Sequence, residues 1–211
     1  MLSNKECSFI AIFGESNKYL SLSNEAVITV KANMIDLFTG GEPFTTTVPV
    51  TDLGAFMDLT DDSNPTGQQY RYWQVSIEDT LNPNDIEISA IFLGDHIDFQ
   101  FNAKQQFQFD RQDLSRKATS DSGVVYTVRK NQFNTFTAMG FSYIGTDERR
   151  ALQSSIETVG VTSPFVFVLD PLELAYEYQF GTVLCYFQDI PNFTQAYLNK
   201  FNISFALREV V

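Results

Sequence analysis

The sequence predicts a mainly β protein that carries one principal α-helix. Apolar residues alternate with polar ones along many short runs, and this period of two places the apolar side chains on one face of a strand. Turn residues separate the runs at Gly40-Gly41, 64–67, 82–84 and 121–123. Many short alternating strands separated by such turns are typical of a β-sandwich or a barrel.

Each predicted strand is defined by its alternating apolar side chains. In chain order these are Ile28/Val30/Ala32, Trp73/Val75/Ile77, Ile86/Ile88/Ala90, Ile97/Phe99/Phe101, Phe107/Phe109, Val124/Tyr126/Val128, Met139/Phe141/Tyr143, Phe165/Phe167/Leu169, Val183/Cys185/Phe187 and Ile203/Phe205/Leu207. The stretch 111–122 is polar and poor in aromatic residues, which predicts either a linker between two lobes or a long loop within one composite domain. Residues 192–198 are interpreted as a second short helix or an irregular loop.

The principal helix is predicted over Asp147–Val159. Thr146 is the predicted N-cap, and Glu148 adds negative charge at the positive end of the helix dipole. The apolar residues at helical spacing are Leu152, Ile156 and Val159. We expect this stripe to cover one face of a sheet, and Gly160 to end the helix in a left-handed conformation.

Composition and charge limit the classes of partner. The 211 residues include 20 Phe and 9 Tyr, an apolar and aromatic content that disordered chains lack. The formal net charge of −12 repels phosphate, so we expect no nucleic-acid partner. No apolar run approaches the roughly 18 residues that a membrane span needs, so we expect no span either.

The cysteines and the first residues bear on the compartment. Cys7 and Cys185 lie near opposite ends of the chain in apolar, strand-like runs, so we expect buried free thiols, while a disulfide between them stays open. Residues 1–6 lack the long apolar stretch of a signal peptide. The chain is therefore expected to be made and kept in a cytoplasm.

Motifs for catalysis and cofactor binding are missing from the sequence. His96 is the single histidine, and it has no paired cysteines at zinc spacing. The sequence has no nucleophile elbow, phosphate-binding loop or dinucleotide fingerprint. We therefore expect no cofactor, no metal and no enzymatic activity.

Two clusters keep other functions open. Asp58, Asp61 and Asp62 could supply the two carboxylates of a glycosidase or oxygen ligands for Ca²⁺, although a solvated acidic turn is the simpler interpretation. Tyr70 and Tyr72 could stack on the apolar faces of sugars. Trp73 alternates with apolar residues and should point into the core, which leaves Tyr72 pointing outward.

A series of motifs between residues 68 and 211 carries a family resemblance. RYWQVSI at 71–77 is followed by Asn82-Pro83 and by ISAIFLG at 88–94. Downstream follow Ser122-Gly123, a strand, the helix, SPFVFVLDP at 163–171 and the closing run FNISFALREV at 201–210. This order resembles minor tail and tail-tip proteins of tailed bacteriophages, and the first strand pair is similar to part of a galactose-binding-like, discoidin-type jelly roll.

The resemblance implies a virion structural protein of the phage tail or tail tip, made in the host cytoplasm. Its expected partners are other tail proteins and symmetric copies of itself. We expect a jelly-roll-like β-sandwich over residues 1–110 and a smaller β lobe with the helix over 120–211, or one composite domain.

The expected surfaces follow from this family. The closing strand could form an assembly edge, whose candidate residues are Arg208, Glu209, Val210 and Val211. The alternative function is a carbohydrate-binding module for host-surface glycan, with Tyr70 and Tyr72 as contacts. A glycan-cleaving enzyme that uses Asp58, Asp61 or Asp62 is the third interpretation.

Overall fold

The computed structural model describes residues 5–14, 20, 22–23, 25–38, 42–51, 54–60, 63–64, 66–99, 108–130, 132–168 and 182–210. The chain divides into two compact units. Unit 1 comprises Met1–His96 with Asp170–Thr182, and unit 2 comprises Ile97–Leu169 with Val183–Val211. Strands dominate the described residues of both units, and α1 (Thr146–Val159) is the one helix among them. The predicted fold class, mainly β with one principal helix, is confirmed.

Unit 1 is a β-sandwich. Its described strands are β1 (Lys5–Cys7), β2 (Phe9–Phe13), β3 (Val27–Asn33), β4 (Phe44–Val48), β5 (Val50–Thr51), β6 (Gly54–Asp58), β7 (Gln68–Tyr70), β8 (Tyr72–Glu78) and β9 (Ala90–Gly94). One sheet has the order β5-β6-β2-β9, the other has the order β4-β3-β8, and β1 pairs with β7. The pairs of β2, β3 and β6 within these sheets are antiparallel.

The core of unit 1 lies between these two sheets. Ile10 and Ile12 of β2 and Ile28 and Val30 of β3 are fully buried in one apolar cluster. Trp73, with Val75 and Ile77, packs against this cluster from β8. The inward orientation that alternation predicts for Trp73 is therefore confirmed, because the strand places every second side chain on the core side.

Unit 2 contains both long and short strands. Its described strands are β10 (Gln108–Asp113), β11 (Arg116–Thr119), β12 (Val125–Val128), β13 (Gln132–Ile144), β14 (Phe165–Val168), β15 (Thr182–Phe187), β16 (Asn192–Tyr197) and β17 (Lys200–Glu209). The main sheet has the order β10-β13-β17-β15-β14, and β16 pairs with another part of β17. β11 and β12 form a separate two-stranded sheet.

The β13–β17 pair forms the centre of unit 2. Phe136 and Met139 of β13 and Ile203 and Leu207 of β17 are almost fully buried. Gly140 lies opposite Ser204, and a Cβ at position 140 would overlap the carbonyl oxygen of Ile203. Glycine is therefore required at this position because the two backbones approach too closely for a side chain.

Helix α1 begins one residue earlier than predicted. Gly145, rather than Thr146, is the N-cap, and its backbone N–H donates to Oε2 of Glu148. Ile156 is buried, as the sequence predicts. Gly160 ends the helix with a positive φ of 59°, but its ψ of −148° lies outside the predicted left-handed helical conformation. The N-cap prediction is wrong by one residue. The helix begins after Gly145, and Glu148 accepts the Gly145 N–H, which is one half of a capping box.

Several segments differ from the predicted strands. Ile86 and Ile88 precede β9 without forming a strand, and neither Ile97 nor Phe99 lies in one. Residues 192–198, interpreted as a helix or loop, form β16 and the start of its turn. The polar stretch 111–122 contains the end of β10 and all of β11. Phe101, Phe107 and Leu169 lie outside the described residues.

Candidate functional site

The two tyrosines of the predicted glycan contact face different surroundings. The Tyr70 ring lies 6.1 Å from the Phe44 ring and 6.1 Å from the Trp73 ring, centroid to centroid. Tyr72 pairs with Asn33 across β3 and β8, and the Arg71 guanidinium lies 5.2 Å from the centre of its ring. Tyr70 thus contacts the aromatic residues at the border of the core, while Tyr72 lies on the outer face of β8. Both side chains are half-buried.

Tyr72 belongs to a polar sheet face. Alternation along β3, β4 and β8 places polar side chains on the side opposite the core. The residues of this outer face include Thr29, Lys31, Thr45, Thr47, Gln74 and Ser76. Lys31 also forms a 3.7 Å ion pair with Glu42. A polar sheet face with one half-buried aromatic ring can hydrogen-bond hydroxyl groups and stack on a sugar.

His96 is paired with a serine that the sequence could not assign. Oγ of Ser8 lies 2.6 Å from Nδ1 of His96 and accepts the backbone N–H of the same residue at 2.7 Å. Ser8 is only 4% exposed, and its own N–H donates to the carbonyl oxygen of Gly94. These bonds fasten the segment after β9 to the residue between β1 and β2.

Of the three carboxylates in the predicted acidic cluster, only Asp58 lies within the described residues. Asp58 is exposed at the end of β6, and its Oδ1 accepts the N–H and the hydroxyl of Thr60 at 2.8 and 2.7 Å. These two bonds stabilise the turn that Asp58 itself begins. Asp61 and Asp62 lie outside the described residues, so the cluster of three carboxylates stays a prediction.

The predicted assembly edge lies in the interior of a sheet. Arg208 pairs with Thr135 of β13 on one side and with Tyr186 of β15 on the other. Glu209 is 5% exposed, and its Oε2 accepts the N–H of Asn134 at 2.8 Å. The edge prediction is therefore wrong for Arg208 and Glu209, because both neighbouring positions of the sheet are filled.

The rest of that segment adds little surface. The Arg208 guanidinium lies 4.0 Å from the centre of the Phe133 ring, so its planar face already makes a contact within the unit. The N–H of Val210 donates to the carbonyl oxygen of Leu184 at 2.9 Å. Val211 lies outside the described residues.

An exposed aromatic patch lies instead beside the β16–β17 turn. The rings of Tyr143 and Tyr197 stack with their centroids 5.9 Å apart and their planes at 17°. They are 49% and 66% exposed, and Leu198 in the turn is 84% exposed. We call Tyr143, Tyr197 and Leu198 the turn patch. Contiguous exposed apolar surface of this kind marks interaction sites.

A backbone irregularity holds Tyr143 in the turn patch. The β13–β17 register shifts between Phe141 and Ile144, and Tyr143 has a positive φ of 62°. Oδ1 of Asn202 accepts the Tyr143 N–H at 3.1 Å. A bulge of this kind re-aims a side chain, and here it leaves the Tyr143 ring facing solvent.

A second exposed surface is the hairpin formed by β11 and β12. We call residues 114–130 the basic hairpin. Its basic residues are Arg116, Lys117, Arg129 and Lys130. Antiparallel pairing sets Arg116 opposite Val128, and this register brings the two basic pairs together at the base of the hairpin. The sequence shows only separate pairs, because twelve residues lie between Arg116 and Arg129.

The two cysteines are buried, as the sequence predicts, and no disulfide joins them. Cys185 is fully buried, and burial raises the pKa of its thiol well above the usual value, with the Glu209 charge adding to the effect. A raised pKa suppresses the reactive thiolate, so Cys185 is a poor nucleophile in the folded protein.

Within the described residues, no group of three or more His, Cys, Asp or Glu side chains is placed to hold a metal ion. In the same part of the chain, no helix is both long and apolar enough to cross a membrane. No family model, curated protein or solved structure matches the chain.

Proposed function

We propose that this chain is a virion structural protein of a tailed bacteriophage, a tail or tail-tip component that assembles by protein–protein contacts. The observation that carries the proposal is the turn patch, in which two stacked tyrosine rings and the neighbouring Leu198 side chain face solvent. Surfaces of this composition are stabilised when another protein covers them.

The order of elements supports the same proposal. The resemblance to tail proteins rests on a succession of motifs, and the structure has β8, β9, the 120–124 turn, β13, α1, β14 and β17 in that succession. Gly123 has a positive φ of 80° in the turn, which is the conformation that favours glycine there.

Virion composition tests the proposal directly. We expect the chain in purified particles of the virus that encodes it, detected by mass spectrometry and located at the tail by antibody labelling. A chain that is expressed during infection and is missing from purified particles would refute the tail function.

The turn patch gives a matched pair of variants. Leu198→Ser should reduce incorporation into particles, because it removes the most exposed apolar side chain of the patch. Leu81→Ser in unit 1 is the control, since Leu81 is also strongly exposed at 67%. Equal incorporation of the two variants would mean that the turn patch is not an assembly contact.

A carbohydrate-binding function is the second candidate, and the polar outer face around Tyr72 favours it. Binding to host-surface glycan would use the Tyr72 ring for stacking and the neighbouring Thr and Gln side chains for hydrogen bonds. A glycan array should then give hits that Tyr72→Ala removes and that Tyr197→Ala keeps. An array without hits would refute this candidate and leave the structural function in place.

A further inference from the structure

We infer that the basic hairpin docks on the acidic surface of a second copy of this chain. The inference deepens the proposed function and rests on it in one respect, since copies must meet in an assembly. It names a contact element and a partner that the function alone does not specify.

Charge is the first argument. The basic hairpin holds four Lys or Arg and one Asp, a formal charge of +3, whereas the other residues hold ten Lys or Arg and 25 Asp or Glu, a charge of −15. A positively charged hairpin on an otherwise negatively charged chain is complementary to the negatively charged residues of another copy. Nucleic acid fits less well, because that same body would repel phosphate.

Exposure is the second argument. All four basic residues of the hairpin are exposed, and so are Val124, Tyr126 and Val128, at 50%, 60% and 58%. Alternation along β12 sets Tyr126 and Val128 on one face, with Ala118 and Arg116 opposite them. This face combines apolar area with a cation, a composition typical of protein interfaces.

Strand pairing is the third argument. As far as the structure describes the chain, β11 and β12 pair only with each other. An isolated two-stranded hairpin is marginally stable in water, and both of its edges present unpaired backbone groups. A neighbouring molecule that covers one face or edge supplies the packing that the hairpin lacks.

Both ends of the hairpin are held in place before any contact forms. At the tip, the Gly123 N–H donates to the Ser120 carbonyl oxygen at 2.9 Å. At the base, Oγ of Ser115 accepts the Lys130 N–H at 2.9 Å, and Asp113 accepts the Ser115 N–H at 2.7 Å. A pre-ordered element loses less conformational entropy on binding, which favours docking.

Photo-cross-linking tests the partner. Benzoylphenylalanine would replace Tyr126 in the full-length chain, and irradiation would be carried out on concentrated purified protein and on intact virions. We expect a cross-linked dimer of the chain, with the cross-link mapped by mass spectrometry to an Asp- or Glu-rich peptide of the second copy. If neither sample gives a link between copies, or if Tyr126 links only to another virion protein or to nucleic acid, the inference is overturned.

Charge reversal tests the physical basis. Arg116→Glu with Lys117→Glu should weaken self-association, measured by sedimentation equilibrium, by roughly tenfold or more, which is the effect of about 1.4 kcal/mol. The control, Arg71→Glu with Arg150→Glu, makes the same change in net charge at exposed arginines outside the hairpin. An equal loss in both double variants would show that net charge alone controls association, and this would refute a specific hairpin contact.

The two proposals fail in different experiments. A chain that is absent from virions but cross-links to itself through Tyr126 refutes the tail function and leaves the hairpin contact. A chain that is present in virions, while neither sample gives a link between copies, refutes the hairpin contact and leaves the tail function.

Discussion

Replacing Ile156 with Ala tests how helix α1 is attached to unit 2. Ile156 is the buried residue of α1, at 6% exposure, while Leu152 and Val159 are only partly buried. A single amphipathic helix of this length is marginal in water, so its stability depends on the packing of its apolar side chains. Ile156 should therefore contribute more to the attachment of α1 than its other residues.

The size of the effect follows from the burial. Fully burying an Ile side chain contributes roughly 1.5–3 kcal/mol, and Ile→Ala changes in protein cores cost about 2–5 kcal/mol. Only one side of α1 is covered, so the lower half of that range, about 2–3 kcal/mol, is expected for Ile156→Ala. For a unit of about 100 residues this lowers the melting temperature by roughly 8 °C or more.

Thermal and urea unfolding, followed by circular dichroism, measure the change. Ser154→Ala is the control on the exposed side of the same helix and should stay within about 0.5 kcal/mol of the parent protein. Ile156→Asp should destabilise more than Ile156→Ala, because it buries an unpaired carboxylate. If Ile156→Ala unfolds at the same temperature and urea concentration as Ser154→Ala, or if Ile156→Asp keeps the stability of the parent protein, the placement of α1 is wrong.

Three further predictions concern single groups. Gly140→Ala should lower the free energy of unfolding in urea by about 1–3 kcal/mol, because its Cβ overlaps the neighbouring strand. Gly94→Ala, whose Cβ would lie 3.5 Å from its nearest neighbour, should be nearly neutral. Equal costs for the two variants would refute the close approach of the backbones at Gly140. Cys185 should react with a thiol reagent only on unfolding, so fast labelling of the native protein would contradict its burial. Hydrogen bonds from Ser115 and Gln132 lower the pKa of Asp113 from 3.8 to about 2. The stabilisation of the hairpin base by ionised Asp113 is therefore complete above about pH 4 and is lost as the pH falls through 2. An NMR titration of the Asp113 carboxyl group with a midpoint near 3.8 would refute this.

Strand prediction from alternation succeeds where one face is buried. The residues Ile28, Val30 and Ala32 of β3 are buried and their neighbours are more exposed, so the period of two is visible in the sequence. β2, with the sequence FIAIF, is not among the alternating strands that the sequence predicts, because four of its five residues are buried. A central strand covered on both faces has no alternation to detect. Ile86 and Ile88 show the reverse case, since they alternate without pairing to any strand in the described structure.

The candidate surfaces were less predictable than the fold. The outward position of Tyr72 follows from the alternation that buries Trp73, and sequence reasoning identifies it. The basic hairpin does not follow from composition, because its two basic pairs meet only through the register of β11 and β12. The turn patch depends on a shift in the β13–β17 register, which no local pattern in the sequence encodes.

The position of Tyr143 argues that its exposure is maintained against a cost. A non-glycine residue at positive φ is strained, by roughly 1–3 kcal/mol, and persists only where the surrounding structure determines it. The buried pairing of Met139 and Phe141 with β17 holds the strand before the shift, and Ile144 opposite Phe201 holds it afterwards. Between these fixed points the irregular backbone places the Tyr143 ring half in solvent, stacked on Tyr197. A contact between the turn patch and another molecule would offset the cost of the strained backbone at Tyr143, which is why the turn patch carries the proposed assembly function.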